Sequence, residues 1–361
     1  MSQFTLEPHP NPVSPEARAA LVEAPSFGTV FTDHMARINW SAGGAGWHSH
    51  RITPYGPLQL DPAAAVLHYA QEIFEGLKAY RWADGSIRTF RPAANAERFA
   101  RSARRLALPE LPPEDFIDAL HALVEVDQAW VPSKPGTSLY LRPFMFAAEP
   151  FIGVRAAHEV FFLVIASPVG AYFKGGVAPV SIWVDQTYHR AGPGGTGAAK
   201  CGGNYAASLV SQEEAYSHGC EQVLFLDAAT STTLEELGGM NVAAVMADGS
   251  VVTPPTSGTI LEGVTRSSLV QLIRDRGREV AERPIELAGL LEAIKMGQVV
   301  EVFACGTAAV VTPVGRLAGT DFDVTVADGA PGALTLSLYE ELTGIQYGLR
   351  EDKHGWTHRL L

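Results

Sequence analysis

The feature that most limits what this chain can fold into is the stretch 189–205, HRAGPGGTGAAKCGGNY. Glycines stand at 192, 194, 195, 197, 202 and 203, around a single lysine, Lys200. Such a stretch builds no core of its own. Its backbone can take up positive φ and come close to something else. A lysine in that setting is either a phosphate contact or a nucleophile. The phosphate-loop pattern needs GxxxxGK followed by Ser or Thr, whereas Lys200 follows an alanine and precedes Cys201. A lysine that forms a Schiff base must be partly desolvated so that its neutral amine is accessible. A glycine-lined pocket beneath a flat ring does this. The plainer reading is a solvated lysine on a surface loop.

At 361 residues the chain exceeds the usual size of one domain and predicts two, and 47% hydrophobic residues suffice for sizeable cores. A net charge of −12 argues against a nucleic-acid or anionic-membrane partner. No apolar run has the length of a membrane span, and the first residues carry no signal-peptide pattern. Cys201, Cys220 and Cys305 lie far apart without metal-ligand spacing, which suits a reducing, cytoplasmic setting. His48 and His50 sit in a glycine-rich loop with no carboxylate or cysteine beside them, so they read as loop and no metal is expected.

Residues 1–26, rich in proline, read as an extended arm. Residues 27–40 alternate as a strand does. Asp61-Pro62 is a helix start, and that helix is expected to run to near Gly76. A strand, an Asp84-Gly85 turn and the strand 87–90 follow. Asn95 is expected to cap a helix with Phe99, Ala103 and Leu106 in its buried stripe, and 116–130 is a second helix. Residues 138–147 and 160–166 are apolar strands, the latter buried on both faces. These elements make 27–167 one small α+β domain. The glycine-rich break at 168–176 is the linker, and 177–361 is a second, larger domain. That domain holds strands at 180–184, 222–226, 299–306 and 308–314 and a hairpin at Asp248-Gly249. Its helices are expected at 205–218, 287–295 and 334–344, before a polar tail, and the segment 259–269 is expected to enter a helix that begins after Gly263 and continues to Arg276.

Several segments resemble, in order, those of branched-chain amino acid aminotransferases: EIFEGLKAYR (72–81), FRPAANAERF (90–99), LYLRPFMF (139–146), PVGAYF (168–173), GGTGAAKCGGNYA (194–206), LEELGGMN (234–241), ILEGVTR (260–266), CGTAA (305–309) and GIQYG (344–348). The likeness runs from about residue 27 to residue 348. It implies the two-domain α+β architecture of pyridoxal phosphate enzymes of fold type IV (D-amino acid aminotransferase-like), with mixed sheets and packed helices.

The resemblance also implies roles. Lys200 is the lysine that holds pyridoxal 5′-phosphate as a Schiff base and then shuttles a proton. Glu236 faces the pyridine nitrogen and keeps it protonated, and Tyr205 contacts the cofactor's phenolic oxygen. Arg98, Val264, Thr265 and Thr307 bind the phosphate. Phe27, Tyr69, Tyr140 and Tyr172 form the apolar substrate box. Arg142 meets the distal carboxylate of glutamate, and Ala308 offers an N–H to the α-carboxylate. By pattern alone each aromatic residue reads as core, Arg98 as a helix-surface arginine and Glu236 as a charge on a loop. A homodimer is implied, with the loop around Gly153 and Val154 reaching the partner. Two departures stand out. Gly239 replaces a threonine that in many relatives helps hold the carboxylate, and Ala309 and Thr312 occupy the positions of a CxxC pair found in mammalian relatives. The alternatives are a D-amino acid aminotransferase, an aminodeoxychorismate lyase, or a vitamin carrier without catalysis.

Overall fold

The computed structural model describes residues 4–26, 28–170 and 177–361. The chain divides into two compact units. One comprises residues 4–26 and 28–170 with Ala199–Gly202 and Gly344–Leu361; the other comprises residues 177–198 with Gly203–Thr343. Phe27, Tyr172 and most of the expected linker lie outside the described residues.

The first unit is built on a nine-stranded sheet whose two longest strands, Ser138–Ala147 and Glu159–Val169, pair antiparallel. Alternate residues of these strands serve opposite faces. On one face Phe162 meets Phe99 at 5.5 Å and Phe116 at 6.1 Å. Those two rings come from the helices Pro92–Arg105 and Pro113–Val126, which explains why 160–166 reads as apolar on both sides. The other face carries Phe161, Leu163 and Phe146, packed with Met35 and Leu60. Tyr140, Arg142 and Phe144 continue that face, two residues apart along one strand.

Several local expectations for this unit change, among them the strand expected over 27–40, which is His34–Ser41. The helix begun at Asp61 spans only Ala65–Tyr69, because Ala70 turns left-handed at φ 48° and the chain enters the strand Glu72–Phe74. Asn95 does not cap its helix. Pro92 opens it one turn earlier, and the Asn95 side chain is buried inside. The arm contains a helix, Pro15–Glu23, capped by Ser14, and a two-residue strand paired with Gly46–Pro54. It is anchored where the Val13 N–H donates to Asp33 and the His9 N–H to His34. His34 in turn pairs with buried Asp127 at 2.8 Å. The polar tail differs too. Thr357–Arg359 pairs antiparallel with Ile87–Phe90, and Leu360 is buried in the same core. The contacts therefore put Gly344–Leu361 with the first unit, whereas the sequence pattern assigns all of 177–361 to the second.

The second unit is a mixed nine-stranded sheet. Val180–Asp185 lies between Gln222–Leu226 and Val310–Ala318, parallel to both; Val299–Gly306 and Asn241–Met246 follow antiparallel. One face buries Ile182, Val184, Leu224, Val302 and Val314 with Leu290 and Ile294 of the helix Leu287–Lys295. The other packs Trp183, Val223 and Phe225 on Ala215 of the helix Leu209–Ser217. The expected helix 205–218 is two pieces, Gly202–Ala207 and Leu209–Ser217, and the helix expected to begin after Gly263 does so, spanning Val264–Asp275.

Candidate active site

In the first unit Lys200 is fixed by its backbone. Its N–H donates to Ser102 Oγ at 2.9 Å, and its carbonyl accepts from the Phe74 N–H at 2.9 Å. The Lys200 ammonium nitrogen lies 4.8 Å from the centre of the Phe74 ring. One residue on, Glu75 is fully buried. Its carboxylate takes Arg98 Nε at 2.7 Å and Arg98 Nη2 at 2.8 Å, with Asn95 Nδ2 at 2.8 Å. Burial by itself would push the Glu75 carboxyl up; the Arg98 guanidinium, helped by Lys200, overcomes this and holds it below the ordinary carboxylate range. Asn95, Arg98 and Ser102 are spaced three and four apart, so one face of the helix Pro92–Arg105 presents them all. Sequence reasoning misses Glu75, Asn95 and Ser102 as site residues. The spacing N-x-x-R-x-x-x-S shows only that Asn95, Arg98 and Ser102 share a helix face, not what that face meets, and the pattern assigns Asn95 to a cap.

Beside this cluster Tyr140 and Arg142 share a face. Arg142 Nη2 donates to the Tyr140 hydroxyl at 3.0 Å, and the guanidinium carbon lies 4.8 Å from the Phe74 ring centre. Arg142 Nε is buried without a hydrogen-bond partner. A cavity of about 190 Å³ opens here, lined by Gly28, Phe31, Tyr140, Arg142, Ile165 and Ser167 among others. Tyr69 is 41% exposed, its hydroxyl donating to the Ile152 carbonyl. Glu72 accepts the Gly202 N–H. Burial raises its carboxyl above the ordinary range, against the pull of that N–H and of Arg142.

In the second unit Glu236 is no loop charge. It lies in the strand Leu234–Leu237, 2% exposed, and pairs with Arg190 at 2.6 Å. The Leu261 N–H donates to its Oε1 at 2.7 Å, and Asn241 Nδ2 reaches its Oε2 at 3.4 Å. Arg190 is the residue that sequence reasoning misses here. It stands in the glycine-rich stretch itself, and its Nη1 also reaches the Gly197 and Thr259 carbonyls. A Cβ on Gly197 would fall 2.1 Å from the Thr259 carbonyl oxygen, so the stretch passes the 257–261 segment only as glycine. Glu235 is buried too, and burial pushes its carboxyl up.

The remaining expected residues of this unit are contiguous. Asn241 Nδ2 donates to the Leu261 carbonyl at 3.0 Å, and a Cβ on Gly263 would strike Asn241 Oδ1. Gly263 precedes the helix Val264–Asp275, whose first residues are Val264 and Thr265. The opening N–H groups of a helix point outward along its axis and suit an anion. Thr307 and Ala308 lie in the turn between Val299–Gly306 and Val310–Ala318. Gly306 abuts Met240 and the Gly239 carbonyl, and a Cβ on Gly239 would touch the Tyr205 ring at 3.8 Å.

These residues fit pyridoxal phosphate. Each unit does so by itself: in the second a buried carboxylate suits a protonated ring nitrogen and a helix start and a threonine turn suit a phosphate, and in the first an anchored lysine suits the aldehyde. The orphaned Arg190 Nε and Glu235 Oε2, both buried, mark a polar interior that its own side chains do not satisfy. Among the described residues no group of His, Cys, Asp and Glu is arranged to hold a metal ion, and no helix is long and apolar enough to cross a membrane.

The amino-transferase class IV family model matches residues 72–317. A branched-chain-amino-acid aminotransferase of Mycolicibacterium smegmatis is 54% identical, over 99% of this chain and 98% of that protein. Among solved structures, the Escherichia coli branched-chain amino acid aminotransferase is 26% identical with a TM-score of 0.74, covering 90% of this chain and 100% of that one. The T.th. branched-chain amino acid aminotransferase, complexed with N-(5′-phosphopyridoxyl)-L-glutamate, is 27% identical with a TM-score of 0.73, covering 90% and 99%.

Proposed function

Because the chain belongs to the amino-transferase class IV family, we propose a distribution of its residues over the work of a branched-chain-amino-acid aminotransferase. The protein is a pyridoxal-phosphate enzyme that moves an amino group reversibly between leucine, isoleucine or valine and 2-oxoglutarate. When bound, the cofactor supplies an aldehyde that takes up the amine and a pyridinium ring that draws electrons from the substrate Cα.

Lys200 holds the cofactor and, once displaced by substrate, moves the proton at Cα. Its pinned backbone leaves only the side chain to travel. Glu236 keeps the proton on the ring nitrogen, and Arg190, 2.6 Å away, keeps Glu236 aimed. Tyr205 orients the ring. Arg98, the Val264 and Thr265 N–H groups and Thr307 hold the phosphate. Glu75 takes Arg98 Nε and Nη2 and so fixes the plane of the guanidinium assigned to the phosphate. Tyr69 and Tyr140, with Phe27 and Tyr172 from sequence alone, enclose the branched side chain. Arg142 takes the distal carboxylate of glutamate, which an apolar box would leave unpaired at a cost of several kcal/mol. Ala308 receives the α-carboxylate, and Gly239 offers only backbone there.

We also assign a homodimer. Ile152 is 66% exposed and Val154 88%, beside Phe151, and a second copy would cover them. Three free cysteines suit the reducing cytoplasm.

The single observation that carries the residue assignment is the two-sided backbone clamp on Lys200 beside the Glu75–Arg98 pair. The test is borohydride reduction of the loaded protein followed by peptide mapping, with glutamate release from leucine plus 2-oxoglutarate assayed on the same sample. Label on Lys200 together with turnover is expected. Label on another lysine overturns the assignment of Lys200, and absence of turnover overturns the activity.

A further inference from the structure

We propose that Gly76 is a specificity-determining residue: its missing side chain is the notch that seats the Tyr140 hydroxyl and thereby fixes Arg142 for an acidic substrate. The inference rests on the assignment of Arg142 to the distal carboxylate of glutamate or 2-oxoglutarate.

Gly76 lies between the strands Glu72–Phe74 and Leu77–Arg81. A Cβ on Gly76 would fall 2.1 Å from Tyr140 Oη and 2.9 Å from Cζ. No real pair of atoms tolerates that, so any other residue here moves the hydroxyl. Glycine is not needed for the backbone itself, because Gly76 is not among the positive-φ positions. The notch therefore serves the tyrosine.

Tyr140 has little other freedom. Its strand is held on both edges, opposite Lys78 on one side and Ser167 on the other. The hydroxyl accepts Arg142 Nη2 at 3.0 Å, the only hydrogen bond of that guanidinium among the described residues. Arg142 Nε is buried and unpartnered at the wall of the cavity of about 190 Å³. A guanidinium held at one nitrogen and unsatisfied at another is prepared for a carboxylate. A branched apolar side chain makes no use of that preparation. Displacing the tyrosine hydroxyl should therefore cost the acidic substrate more than the apolar one.

The experiment compares Gly76→Ala, Tyr140→Phe and the double variant, each as loaded enzyme. The readout is kcat/KM for the glutamate and leucine half-reactions, with cofactor content and thermal midpoint measured alongside. Each single variant should lose about tenfold or more on glutamate relative to leucine, the scale of one charge-assisted hydrogen bond. The double variant should be little worse than Tyr140→Phe, because both changes remove the same contact. Equal losses on both substrates, or losses that multiply in the double variant, overturn the proposal. Should Gly76→Ala not fold, the double variant against Tyr140→Phe decides: a further fall in glutamate selectivity refutes the notch, and unchanged selectivity supports it. Wild-type protein that processes leucine but not glutamate would instead refute the Arg142 reading beneath it.

Discussion

Glu236→Gln tests whether the second unit is held by the same pair that serves the chemistry. Arg190 and Glu236 have side chains 1% and 3% exposed and meet at 2.6 Å. Glutamine can keep the contacts from Leu261 and Arg190 made through Oε1, and puts an amide nitrogen in place of the oxygen facing Asn241. The loss is therefore mainly that of charge, with the arginine left buried and uncompensated. Removing one partner of a buried pair costs about 3–5 kcal/mol. Because Arg190 keeps the Gly197 and Thr259 carbonyls, the lower end, about 3 kcal/mol, is expected here. The assay is urea unfolding of the cofactor-free protein, with Arg190→Met and the double variant completing a cycle. The two changes should couple by about 1–3 kcal/mol, the double being far less damaging than the sum. Single-turnover removal of the Cα proton by loaded Glu236→Gln, normalised to folded protein, should fall about 10²-fold or more. A stability loss within about 0.5 kcal/mol of zero, the ordinary range for surface changes, or strict additivity in the cycle, would refute the idea that this ion pair is a structural element.

Three further outcomes are expected. Burial depresses Lys78 from 10.5 to about 8; between those values the unfolded chain binds more protons than the folded one, so stability rises with pH across that window. Lys78→Met should abolish the rise and add at most about 3 kcal/mol at neutral pH, read from urea midpoints at neutral and alkaline pH. Gly197→Ala drives a methyl into the Thr259 carbonyl oxygen and should cost about 1–3 kcal/mol together with cofactor retention; a variant as stable as wild type would remove the steric account of that glycine. The Cys305 thiol, pushed up to about 12 by burial, should resist alkylation in the folded protein at neutral pH and react on unfolding, as followed by mass spectrometry.

Much of this is legible in the sequence where one residue type leaves few options. Glycine around Lys200, the apolar run 138–147 and the Asp248-Gly249 turn each name their own local structure. The failures share a cause. Asn95 and Asp61 both offer caps, and capping is a local preference that a neighbouring proline or a left-handed Ala70 overrides. Glu75, Arg190 and Ser102 are unreadable as partners because their bonds join positions 23, 46 and 98 residues apart. Arg98, expected at a phosphate, also holds a carboxylate, which nothing in its own helix announces. The tail reads as polar because only one residue of its last five, Leu360, is fully buried.

That tail has a consequence for biosynthesis. Ile87–Phe90 pairs with Thr357–Arg359, Ile87 also bonds Leu360 and Leu361, and Tyr347 donates to the Thr137 carbonyl at 2.9 Å. The first unit is thus the first to leave the ribosome and cannot be finished until the whole second unit has been translated. At about 5–20 residues per second that interval is roughly ten to forty seconds. Throughout it the strand Ile87–Phe90 is an open edge, its N–H and C=O groups available to any extended chain nearby. Nascent chains stalled within the second unit should therefore be bound by strand-seeking chaperones, and release should come only when residues 357–361 emerge and close the sheet.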